Sequence, residues 1–150
     1  MDPLGLRILV AAAHLLALGI GLGALWARGR ALRGELNLPG LKRVFLADNF
    51  WGVAAALWVG TGLWRAFGGL EKGAAYYLDS SAFAVKMGLF AAVGVLELWP
   101  MAMLIAWRIR LAKGGTVEPR HARTFARISE LQVGLLVAMV LAAVAMARGS

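Results

Sequence analysis

The chain has 150 residues, 61% of them hydrophobic, and carries 16 Lys+Arg against 8 Asp+Glu for a net charge of +8. So high an apolar share excludes an ordinary soluble domain. The basic residues gather between apolar blocks, so no soluble domain carries a groove for nucleic acid, and no nucleic-acid partner is expected. There is no cysteine, which excludes disulfides, thiolate metal sites and thiol nucleophiles.

Four apolar blocks approach the length of about 20 residues that crosses a hydrocarbon core. They predict an all-α integral membrane protein, a four-transmembrane-helix bundle forming a single domain over residues 1–150. The first helix is expected from Leu4 to Trp26, with Asp2-Pro3 suiting its start. The apolar run from Ile8 to Trp26 is too long for the usual signal core, so this helix is read as retained. Gly19 and Gly23 offer a small-residue face for a neighbouring helix.

A link is expected from Ala27 to Asn49, holding Arg28, Arg30, Arg33, Lys42 and Arg43 against Glu35 and Asp48. Pro39-Gly40 marks a turn in it, and Leu41 to Leu46 is expected to be helical already. The second helix runs from Phe50 to Phe67, with Gly52, Ala56 and Gly60 as a small-residue stripe and Trp51 and Trp64 near its ends. The next link, Gly68 to Ser81, has mixed charge, and its Tyr76 and Tyr77 suit the headgroup level. The third helix runs from Ala82 to Trp107, and Pro100 within it predicts a bend near Leu96. A basic link from Arg108 to Arg123 leads to a fourth helix from Thr124 to Ala147.

The two basic links lie on one side of the membrane, because two helices separate them. The positive-inside rule places them in the cytoplasm, with both termini outside.

Ionisable groups within apolar helices are functional candidates by default. In the first helix a seven-residue step puts Arg7, His14 and Gly21 on one face, expected to point into the bundle. His14 reads either as an axial haem ligand or proton relay, or as a neutral histidine hydrogen-bonded across helices. Lys86 and Glu97 share a face of the third helix about 16 Å apart. They are too distant to pair, so each needs its own partner or water. Lys86 either faces the interior or snorkels, whereas Glu97, being deeper, is expected protonated or paired. Glu130 is expected in the inner half of the fourth helix, meeting Glu97 or a basic group, or making a structural hydrogen bond. Arg65, near the end of the second helix, either snorkels or pairs with Glu71 or Asp79. There is no Walker loop, HExxH or GxSxG.

The stretches NFWGVAAALWVGTGLWR, EKGAAYYLDSSAFAVKMGLF and the segment from Pro100 to Arg108 resemble a family of bacterial membrane proteins labelled domain of unknown function 2214. The likeness extends over nearly the whole chain and implies four membrane helices, without an activity to carry over. A more distant resemblance is to the four-helix membrane protoporphyrinogen oxidase of bacterial haem synthesis. That family is associated with haem b, with a histidine in the first helix and a lysine at the start of the third. His14 and Lys86 stand at those places.

Three functions follow as expectations. The first is a haem-b-binding redox protein or oxidoreductase of the bacterial inner membrane, working with a membrane redox partner. There His14 would ligate iron, Lys86 would be a second ligand or a propionate partner, Arg65 and Arg7 would be further propionate partners, and Glu97 and Glu130 would relay protons. The second is a non-enzymatic membrane subunit or scaffold, docking through its small-residue stripes within the chain or in a homo-oligomer. The third is a small oligomeric transporter or channel lined by Lys86 and Glu97.

Overall fold

The computed structural model describes residues 2–67 and 81–148, except the side chains of residues 66, 67, 82, 146 and 147. Expectations for the Gly68-to-Ser81 link, including Tyr76, Tyr77 and the Glu71 and Asp79 pairings of Arg65, fall outside these residues apart from Ser81. The described residues form four helices: α1 (Pro3–Arg33), α2 (Leu38–Phe67), α3 (Ser81–Ala112) and α4 (Ala122–Ala147). All four are long and apolar enough to cross a membrane.

Local chemistry sets the ends. Asp2 caps α1 by accepting from the Gly5 N–H at 3.0 Å, and Pro3 occupies the first turn, where its missing donor costs nothing. Asn37 does the same for α2, accepting from Gly40 N–H at 3.0 Å. Gly114, at φ +79°, closes α3: its N–H returns to Leu111 O and that of Gly115 to Arg110 O, satisfying carbonyls the helix would leave bare. The helix continues through Pro100, which is fully buried.

The helices run further toward the basic connections than the apolar blocks alone suggest. α1 ends at Arg33 rather than Trp26, and α2 begins at Leu38 rather than Phe50. Hydropathy falls where charge begins, but helix geometry does not. These extra turns bury a second core, in which Leu32, Val44, Leu104, Trp107 and Phe125 meet. The first core lies toward the termini and holds Ala17, Leu25, Trp51, Trp58, Val93, Leu136 and Met139.

Each helix presents its inward residues at alternating steps of three and four, the spacing that keeps a stripe on one face. Close helix pairings join α1 to α2, α1 to α4, and α3 to α4. Side chains span between α2 and α3: Arg108 reaches Asp48 and Asn49 at the basic end, and the Trp58 and Phe90 rings lie 5.8 Å apart further along.

The expected small-residue docking faces are not where the helices meet. Gly19, Gly23, Gly52 and Gly60 are exposed, and a Cβ there would touch nothing within 4 Å. The close approaches occur at Gly21, against Trp51, and at Gly29, against Ala126 and Ser129 of α4. A spacing of four identifies a face but not which face is buried.

Candidate functional site: two polar clusters on the bundle axis

Between the two apolar cores lies a buried ionic cluster centred on Arg28, whose side chain is 0% exposed. An arginine has five N–H donors in a fixed planar fork, and here every one is used. Nε donates to Ser129 Oγ at 2.9 Å. Nη1 donates to Asp48 Oδ1 and to Glu97 Oε2, both at 2.9 Å. Nη2 donates to Glu97 Oε1 at 2.8 Å and to Gln132 Oε1 at 2.9 Å. Thus α1 supplies the cation, α2 and α3 a carboxylate each, and α4 two neutral acceptors.

The outer contacts complete the cluster. Gln132 Nε2 donates to Glu97 Oε1 and to Val93 O, both at 3.1 Å. Ser129 Oγ donates to Phe125 O at 2.9 Å. The other oxygen of Asp48 accepts from Arg108 Nη2 at 2.9 Å, and Arg108 also lies over the Phe45 ring. Two arginines face two carboxylates, so the cluster is formally neutral. A buried charge is tolerated on these terms: paired, bidentate and with its remaining donors satisfied.

A second cluster lies toward the termini. His14 is 5% exposed. Its Nδ1 is 3.0 Å from Trp58 O and 2.9 Å from Thr61 Oγ1. A carbonyl oxygen only accepts, so Nδ1 carries the proton and donates. In the neutral ring the lone pair then sits on Nε2. Thr61 is itself anchored, donating to Leu57 O at 2.7 Å. The Trp58 ring stacks on the imidazole at 5.6 Å between centroids and 19° between planes. Gly62 lies against the ring edge, where a Cβ would come within 3.0 Å of Cε1.

The Trp58 ring in turn meets Phe90 of α3 at 5.8 Å, so α1, α2 and α3 converge here. Lys86 is half-buried, and among the described residues it has no hydrogen-bond or ion-pair partner. The indole Nε1 of Trp58 is also buried without one.

Of the residues singled out in the sequence, His14 is buried in this cluster, while Lys86 and Arg65 stand half-buried near the ends of α3 and α2. Glu97 belongs to the other cluster, about 21 Å away as measured along α1 from His14 to Arg28. Two expectations are corrected. Arg7 shares the heptad of His14 but is exposed: burial on α1 starts only at Val10, and Leu4, Ile8 and Leu9 before it are exposed as well. Glu130, expected as a buried proton relay, is not buried, and of its two expected partners, Glu97 or a basic group of another helix, it takes the second. It pairs with Arg33 at 2.7 Å on the bundle surface, both side chains about a third exposed or more (39% and 33%). No grouping of three or more His, Cys, Asp or Glu side chains suited to a metal ion occurs among the described residues.

The family model described as Predicted membrane protein (DUF2214) matches residues 6–150. The chain belongs to this family. No curated protein and no solved structure matches it.

In this DUF2214 protein, sequence reasoning missed Arg28, Asp48, Arg108 and Ser129 as members of a site. One signal was available. The step of seven that groups Arg7, His14 and Gly21 lands next on Arg28. Gln132 is likewise in the buried stripe of α4, seven residues before Met139.

Proposed function

We propose that this DUF2214 protein is a haem-b-binding membrane redox protein. The observation that carries the reading is His14: a buried imidazole whose Nδ1–H is held by the Trp58 carbonyl, leaving the Nε2 lone pair with no hydrogen bond among the described residues. Metal-ligating histidines are oriented in this way, the second nitrogen donating to a carbonyl that fixes tautomer and ring plane. Two further groups fit a carboxylate-bearing ligand, namely the unpartnered Trp58 Nε1–H and the Lys86 ammonium.

His14 would ligate the iron, while Lys86 and Arg65 would offer positive charge to the propionates. Haem supplies one-electron chemistry at its iron; the protein sets its orientation and surroundings. Thr61 and the Trp58 carbonyl hold the imidazole against rotation. The Trp58 ring covers one face of it and meets Phe90 in turn. The distant likeness of His14 and Lys86 to the protoporphyrinogen oxidase pattern supports the same reading. We place the protein in a bacterial inner membrane with both basic connections cytoplasmic, on the charge asymmetry of the connections.

The test is pyridine haemochrome assay of purified wild type, His14→Ala and Lys86→Ala after expression with ample haem. Wild type is expected to hold haem, and His14→Ala to lose it. A colourless wild type, or a His14→Ala protein with unchanged haem and spectrum, overturns the reading. Labelling of Lys113→Cys and Arg148→Cys by a membrane-impermeant thiol reagent tests orientation: only Arg148→Cys should react from outside.

A second reading, a non-enzymatic membrane subunit, is favoured by the Arg28 cluster. With all five donors engaged, Arg28 has none left for a substrate and serves the bundle itself.

A further inference from the structure

A furrow of about 690 Å³ runs along the outside of the α1–α2 pair, toward the basic end. Its floor is made of small side chains, Ala24, Ala31 and Ala47, which leave room where the two helices come together. Its walls are Ile20, Leu46 and Phe50, each more than half exposed. From Ile20 to Arg30 the furrow rises about 15 Å along α1. At its upper rim stand Arg30 and Arg43, one from each helix, both exposed.

Neither arginine has a salt-bridge or hydrogen-bond partner among the described residues. Glu130 of α4 is not available to them, since both its oxygens are taken by Arg33. The result is an apolar slot on the membrane-facing surface of a transmembrane protein, ending in two cations that make no ion pair among the described residues, where α1 and α2 approach their connection.

We propose that this furrow binds one anionic phospholipid, an acyl chain lying along Ile20, Leu46 and Phe50 and the phosphate held between Arg30 and Arg43. The charge selects the occupant. A second copy of the chain docking here about a two-fold axis would bring its own Arg30 and Arg43 toward the same pair, because an isologous interface repeats the same patch. A zwitterionic lipid brings a compensating cation with its phosphate. A lipid of net negative charge satisfies both rim and slot.

The experiment is native mass spectrometry of the full-length protein in neutral detergent, titrated with phosphatidylglycerol or with phosphatidylcholine of the same acyl chains. Three proteins are compared: wild type, the double variant Arg30→Gln/Arg43→Gln, and Ala27→Trp. Ala27 is an exposed residue lining the furrow, so its indole fills the slot without entering the core. Wild type is expected to retain one phosphatidylglycerol in preference to phosphatidylcholine. The double variant should weaken that binding about thirtyfold, since each basic residue near an anionic headgroup contributes about a factor of five. Ala27→Trp should weaken both lipids, with helix content by circular dichroism unchanged in each case. Equal retention of the two lipids overturns the proposal. So does an unchanged double variant, or a lipid-free dimer that Ala27→Trp dissociates.

Discussion

Arg28 and Glu97 meet fork to fork, Nη1 to Oε2 at 2.9 Å and Nη2 to Oε1 at 2.8 Å, across 69 residues of sequence. The arginine side chain is fully buried, and that of Glu97 is 16% exposed. Such a pair contributes little compared with a well-packed apolar replacement, but removing one half strands the other. Arg28→Ala should therefore destabilise the bundle by about 3–5 kcal/mol, measured by denaturant unfolding in micelles. Arg28→Lys keeps the charge and loses the fork, so it should fall between wild type and alanine. A lysine variant as stable as wild type would show that the planar geometry is irrelevant.

The same logic predicts coupling. In a cycle built from Arg28→Met, Glu97→Leu and the double variant, the double variant should be more stable than the sum of the two losses predicts, by about 1–3 kcal/mol. Additive losses would mean that the two residues act independently. Arg33→Ala, by contrast, breaks a pair at the surface, and no resolvable change in the unfolding midpoint is expected.

Glycine substitutions should separate buried from lipid-facing faces. Gly19→Ala and Gly23→Ala meet empty space and should stabilise α1 by about 0.5–1 kcal/mol each through backbone entropy. Gly21 looks the same in sequence, but a Cβ there lies 3.3 Å from the Trp51 ring. Gly21→Leu should cost about 1–3 kcal/mol by overpacking. If the three positions behaved alike, α1 would be rotated from the orientation described.

Gly62→Val places a branched side chain where even a Cβ is 3.0 Å from His14 Cε1. It should displace the imidazole and lower haem retention in the haemochrome assay, while the Arg28 cluster and the overall helix content stay intact. Retention equal to wild type would remove His14 from the proposed ligand role.

The count and order of the helices were legible because an apolar block of bilayer length has few other uses. The inward placement of His14 was legible from its heptad, since burial follows the face on which Val10, Ala17 and Gly21 lie. The ends of the helices were not. Arg28 and Asp48 resemble connection residues in any local window, and their neutralisation depends on partners 20, 69, 101 and 104 residues away from Arg28. Arg7 misled for the opposite reason: it holds the right phase on an exposed part of the helix that no other described helix covers. That Glu130 meets a basic group of another helix was among the expectations, but that the group is Arg33 was not legible, because phase on α4 alone does not tell which residue of α1 lies opposite.

The position of Arg28 on the first helix has a consequence for biosynthesis. A chain delivered to the membrane from its N-terminus presents this arginine long before Glu97, Ser129 and Gln132 have left the ribosome. Asp48 is the earliest partner to arrive, just beyond a tight connection over residues 34–37. The α1–α2 hairpin is thus the smallest nascent unit in which the guanidinium meets a counter-ion, and insertion of the two helices together spares the translocon an isolated charge. The carboxylate of Glu97 then enters on α3 to a site already carrying its cation, and docking of α4 supplies the last two acceptors and seals the cluster.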